Sequence, residues 1–199
     1  MSKYNPEIWY RAITDYLRIK PKINLKNIIV LPKQEFDAKF NPIESRIVGK
    51  TAAITLPGNR IFIRQGHEDS GLHEMIHTAG FQFPGCEHSV LNEGMTQIAT
   101  KEIGKTIGLT VRSGYDDEVR IASDIIKASG MPKQRFLQGY ARAKDKIGYV
   151  TNQLWNRHKN KFKNESDWGP TDIAKKGFYK ELKNLIGYST YLDQIFNER

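Results

Sequence analysis

The stretch Asp69-Ser70-Gly71-Leu72-His73-Glu74-Met75-Ile76-His77-Thr78-Ala79-Gly80 carries two histidines four positions apart, with a glutamate directly after the first. Asp69 and Ser70 are N-cap residue types, and Leu72, Met75, Ile76 and Ala79 form an apolar stripe. Gly80 is a natural stop, so a helix of about three turns is expected across Ser70 to Ala79. At about 3.6 residues per turn, His73 and His77 leave one face and can meet one metal ion, with Glu74 close beside them. Two imidazoles leave a tetrahedral zinc short of ligands. Hydrolytic chemistry therefore needs a third protein ligand, with water in the fourth place.

Several residues downstream carry suitable donor atoms. Gly80 falls on the glycine of the metzincin pattern HExxHxxGxxH, but Phe83 stands where that pattern has its last histidine, and a phenyl ring cannot coordinate. Cys86 and His88 follow in the next loop and can chemically serve. Glu93, in Leu91-Asn92-Glu93-Gly94, lies in the first turn of a second helix expected from Ser89 to Ile103. Ser89 can cap that helix, while Leu91, Met95, Ile98 and Ala99, with Glu102 or Ile103, trace one side. Thr96 and Gln97, one turn beyond Glu93, are within reach of the imidazoles by helical spacing.

With both motifs in order, the chain resembles the gluzincin metallopeptidases over about residues 60 to 154. The resemblance implies a zincin-like α+β fold: a small mixed β-sheet, then the active-site helix, then a mainly helical C-terminal half. It implies one catalytic zinc ion held by His73, His77 and Glu93, with Glu74 as general base toward a zinc-activated water. Tyr115, opening the helix after the glutamate helix, would stabilise the developing oxyanion. Phe136 to Arg142 would form a later helix that supports the site. Thermolysin-like sites have an aspartate four residues past the glutamate ligand, and this chain has Gln97 there.

Residues 1–199 are expected to form one catalytic domain: an N-terminal helix and sheet over 1–66, metal-binding helices over 67–113 and a helical part over 114–199. Asn5-Pro6 followed by Ile8, Trp9, Ala12, Ile13, Tyr16 and Leu17 reads as a capped amphipathic helix. Asn27 to Leu31, Thr51 to Leu56 and Arg60 to Arg64 read as strands, the last two joined by the turn Pro57-Gly58-Asn59. With Arg60 to Arg64 as the sheet edge, an extended peptide could add to it by main-chain hydrogen bonds, which favours a peptide or protein substrate and an endopeptidase. Helices are expected over 116–129, 132–143, 146–162 and 171–186, with a loop at 164–170. His67 and His158 fall outside any ligand spacing.

The 39% hydrophobic content suffices for one good core. A single cysteine excludes an intrachain disulfide framework, and the start Met1-Ser2-Lys3-Tyr4-Asn5-Pro6 has no apolar signal segment. A reducing cytoplasm is the default expectation, with a virion or an unmarked export route also compatible. No apolar run approaches the roughly 18 residues of a membrane span, so no membrane partner is expected. The net charge of +9 divides unevenly: residues 1–66 carry 12 basic and 5 acidic residues, 67–130 carry 5 and 10, and 131–199 carry 14 and 7. The acidic block holds the candidate metal site, while the basic flanks suit an anionic partner or simply a solvated surface.

Two other functions compete. Spartan-like proteases share the HEMIH wording and act on DNA-crosslinked proteins, which suits basic flanks, but His88-Ser89-Val90-Leu91 lacks the setting of their third histidine. A non-catalytic nucleic-acid-binding or interaction protein on a zincin scaffold would rest on charge alone. Glu74 argues for catalysis, since a structural zinc needs no general base.

Overall fold

The Asn5 side chain accepts hydrogen bonds from the main-chain N–H groups of Glu7 and Ile8 at 3.1 and 3.2 Å, and Pro6 brings its fixed φ to the first turn. Helix α1 (Pro6–Leu17) starts there and buries the stripe Trp9, Ile13 and Leu17. The computed structural model describes residues 5–40, 52–81 and 90–162, with side chains through Arg157. After α1 come β1 (Ile28–Leu31), α2 (Lys33–Phe40), β2 (Ala53–Leu56) and β3 (Arg60–Arg64). The remaining described elements are helices: α3 (Glu68–Thr78), α4 (Val90–Thr106), α5 (Asp116–Ser129), α6 (Lys133–Arg142) and α7 (Lys146–Phe162). The described residues are thus α+β, with a small mixed sheet and a helical C-terminal part. The expected loop at 164–170 and helix at 171–186 lie outside them.

The sheet corrects one expectation. Its order is β1-β3-β2, so Arg60 to Arg64 is the middle strand and not an edge. β1 runs parallel to β3, pairing Ile28 with Ile61, and β2 runs antiparallel, pairing Ala53 with Ile63. The sequence of β3 carries the reason: Ile61, Phe62 and Ile63 are all buried, and a strand apolar on both faces needs cover on both. Phe62 joins Leu31, Phe36 and Phe40 on one face, with Ile54 and Leu56 packed against them. On the other face, a Cβ at Gly71 of α3 would overlap the Ile63 side chain and touch Trp9, so α3 rests directly on β3 and α1. The β2–β3 turn needs left-handed backbone at Gly58 (φ 82°) and Asn59 (φ 54°), conformations that glycine and asparagine tolerate best.

The chain divides into two compact units. The first comprises Met1–Phe81 and Thr96–Gly114 and contains the sheet, α1 to α3 and most of α4. The second comprises Gln82–Met95 and Tyr115–Arg199. Its core is built from Ala122, Ile125 and Ile126 of α5, Phe136, Leu137 and Tyr140 of α6, and Val150, Leu154 and Trp155 of α7. A Cβ at Gly94 would overlap the Glu118 carbonyl of α5, so the glycine after Glu93 is there for close approach of main chain. α4 was expected to bury one side, yet residues 90–100 are all buried, which makes it an interior helix. No helix among the described residues is long and apolar enough to cross a membrane.

Candidate metal centre

α3 begins at Glu68, two residues earlier than expected, with His67 at the N-cap position and no side-chain cap. Asp69 and Ser70 therefore sit inside the first turn, where Asp69 is buried and its Oδ2 accepts the Arg112 main-chain N–H at 2.9 Å. Burial, then the Arg112 guanidinium, lowers the pKa of His67 below its ordinary value. At the other end of α3, Gly80 takes φ 101°, a backbone state that disfavours side-chain-bearing residues. The chain turns back there, and the Phe81 carbonyl comes within 3.1 Å of His77 Nδ1.

His73 and His77 project from one face, as their spacing requires, with their Nε2 atoms 3.1 Å apart and their rings near perpendicular at 75°. Each ring is held from behind by Nδ1. His73 Nδ1 lies 3.0 Å from Gln97 Oε1, and His77 Nδ1 lies 3.4 Å from Thr96 Oγ1 in addition to the Phe81 carbonyl. Gln97 Nε2 donates to the Arg112 carbonyl at 3.0 Å, and since a carbonyl only accepts, the amide oxygen must face His73. Both Nδ1 atoms thus carry their rings' protons. In that tautomer each Nε2 is the acceptor nitrogen of its ring, and the two lie 3.1 Å apart.

Glu93 sits one turn before Gln97 on α4, and His73, His77 and Glu93 all offer ligand atoms within 4.8 Å of one another. All three are buried, and together they can hold a metal ion. Bond lengths of about 2.0 to 2.1 Å at a tetrahedral ion separate two nitrogen ligands by about 3.3 Å, so the Nε2 pair stands close to the required spacing. Two imidazole nitrogens and a carboxylate oxygen form a donor set of borderline softness. Glu74 lies outside this trio, and its Oε2 accepts a hydrogen bond from Thr55 Oγ1 at 2.6 Å.

Tyr115 opens α5 as expected, with left-handed backbone (φ 58°) and an exposed side chain. Three residues that bear on the site escaped the sequence reading. Thr55 meets Glu74 from β2, a pairing that sequence separation hides. Arg112 contributes main-chain atoms, which no motif marks. Tyr140 is fully buried in the second unit, and burial first, then the Glu93 carboxylate, pushes its phenol well above the usual range. The position of Tyr140 inside the Phe136 to Arg142 helix was the available signal. Cys86 and His88 lie outside the described residues, as do Phe83 and Ser89.

Comparison with protein-family models, with curated proteins and with solved structures yields no match.

Proposed function

We propose that this chain is a zinc-dependent metallopeptidase of gluzincin type on a zincin-like scaffold. One observation carries the reading: two imidazole acceptors 3.1 Å apart, each with its proton committed at Nδ1, beside a buried carboxylate. Two lone pairs facing each other in a buried site repel unless a cation lies between them. A shared proton would serve two nitrogens, whereas a third ligand on Glu93 favours a metal ion.

His73, His77 and Glu93 would hold the zinc, leaving one position open. When bound, such an ion lowers the pKa of a coordinated water to about 7 and polarises a carbonyl. Glu74 then takes the proton of the attacking water and passes it to the leaving amine. Thr55 holds one oxygen of Glu74, which limits rotation of the carboxylate while leaving the other oxygen to work. Tyr115 is the proposed hydrogen-bond donor to the oxygen that gains negative charge.

The peptide reading now rests on β2 instead of β3. Arg64 N–H donates to the Ala52 carbonyl at 2.8 Å, so the Ala52–Arg64 pair is hydrogen-bonded and the alternate residues Ala53 and Thr55 turn their main-chain groups away from β3. Among the described residues that side of β2 is an edge, and it belongs to the strand whose Thr55 reaches Glu74. An extended peptide pairing there would be carried alongside the general base.

The test is metal content and hydrolysis of a denatured protein by the parent and by Glu74→Gln. The parent should carry one zinc per chain and cleave. Glu74→Gln should keep the zinc and lose about 10³-fold in kcat/KM. A parent without zinc, or a variant as active as the parent, would overturn the reading.

A further inference from the structure

Gln97 can orient His73 productively in only one of its two amide settings, and the structure assigns the choice between them to Asp69. Were the amide turned over, its NH2 would face His73 Nδ1, which would then have to accept. The ring proton would move to Nε2, and a protonated Nε2 cannot bind a metal. Gln97 is kept from turning by the Arg112 carbonyl, which accepts from Nε2 at 3.0 Å. The residue that bears this carbonyl is anchored by its main-chain N–H, which donates to Asp69 Oδ2 at 2.9 Å.

Asp69 and His73 are one turn apart on α3. The hydrogen-bond path therefore leaves α3 at Asp69, crosses the main chain of Arg112, passes through the Gln97 side chain of α4 and returns to α3 at His73. Along this path the main-chain N–H can only donate and the carbonyl and carboxylate can only accept, so the direction of each hydrogen bond is set. Asp69 is buried. Its Oδ1 stands 3.9 Å from Arg112 Nη2, and the Arg112 guanidinium also meets the Gly66 carbonyl and His67 Nδ1. More than half of the Arg112 side chain is solvent-exposed, so the ring depends on the main chain of residue 112 and little on its charge.

Asp69, acting through Arg112 and Gln97, is a positioning residue that locks His73 as the Nδ1–H tautomer and keeps Nε2 open for a metal. This inference rests on the metal reading above but not on peptidase activity. The first experiment measures the 15N shifts of the His73 ring in the metal-free parent. A protonated Nδ1 is expected, and a protonated Nε2 would overturn the lock whether or not the protein cleaves peptides.

The second experiment measures zinc affinity against a competing chelator. Gln97→Leu and Asp69→Leu should each weaken zinc about 10- to 100-fold. Asp69→Asn, which still offers an oxygen acceptor, should stay near the parent, as should Arg112→Ala, which keeps the main chain. Asp69→Leu protein that melts cooperatively yet binds zinc as tightly as the parent would refute the assignment. So would loss of zinc in Arg112→Ala equal to that in Gln97→Leu.

Discussion

Two buried polar clusters in this protein solve the same desolvation problem in opposite ways. Around Lys146 the solution is closed: the ammonium donates to the Tyr140 and Ala141 carbonyls at 2.5 and 3.1 Å, near the end of α6, and stands 5.0 Å from the Tyr140 ring centroid. The last carbonyls of a helix run short of intrahelical donors, and although the Ala143 N–H also reaches the Tyr140 carbonyl at 3.2 Å, one side chain serves both. Around His73 and His77 the solution is open, because both Nδ1 donors are matched while two Nε2 acceptors converge. Burial depresses the pKa of Lys146 to about 8, which by itself would nominate it as a functional group. The direction of donors and acceptors separates the two clusters better than burial does. A site for a ligand is one where like atoms are aimed together.

The sharpest way to break this comparison is to titrate zinc and follow thermal unfolding. Zinc at about 1,000 times its Kd should stabilise the parent by about 4 kcal/mol, and His77→Ala should remove that gain. Lys146→Met should melt lower but keep the full zinc shift. A shift that survives in His77→Ala, or disappears in Lys146→Met, would erase the distinction between an open and a closed cluster.

A smaller effect is expected from Lys146 itself. Removing the ammonium from the Ala141 carbonyl, and leaving the Tyr140 carbonyl only the Ala143 N–H, should cost about 2 kcal/mol in Lys146→Met. The pH dependence has a definite sign. With the folded pKa near 8 and the unfolded value at 10.5, the unfolded chain binds more protons between those limits. Stability contributed at this site therefore rises with pH across that window and is lowest below about 8. Urea unfolding of parent and Lys146→Met at about pH 7.5 and about pH 10 measures the difference. A gap between them that narrows as pH rises would contradict the closed cluster.

What could be read from the sequence follows the range of the interactions concerned. α1 was legible because Asn5, Pro6 and the Trp9-Ile13-Leu17 stripe all act within one helix. α5 ends at Gly130 (φ 66°), and that stop too is local. α2 escaped because Lys33 to Phe40 offers only Phe36 and Phe40 as an apolar pair, too short a period to register. The middle place of β3 has a local signal, because its three consecutive apolar residues call for cover on both faces. Within the site, the His73–His77 pair is fixed by helical spacing, whereas Thr55 and Asp69 reach it across 19 and 43 residues of sequence, to Glu74 and Arg112 respectively. Nothing in a linear pattern encodes those pairings.

Glu74 stands between the open and closed extremes, and Thr55 decides which side it falls on. The hydroxyl donates to Oε2 at 2.6 Å, so one carboxylate oxygen is engaged and the other is available for a proton. If the bond steadies the base for transfer, Thr55→Val should lower kcat about 10-fold, roughly 1.4 kcal/mol of barrier, with KM and bound zinc nearly unchanged. Thr55→Ser keeps the hydroxyl and should recover most of the rate. Single-turnover hydrolysis of a labelled peptide separates this from a substrate-binding role, since Thr55 also lies on the β2 edge where the peptide is proposed to pair. A raised KM at constant kcat would assign Thr55 to the substrate. An increased kcat would mean that the hydroxyl restrains Glu74, placing the proposed general base nearer to Lys146 than to the histidines in how its hydrogen-bonding capacity is used.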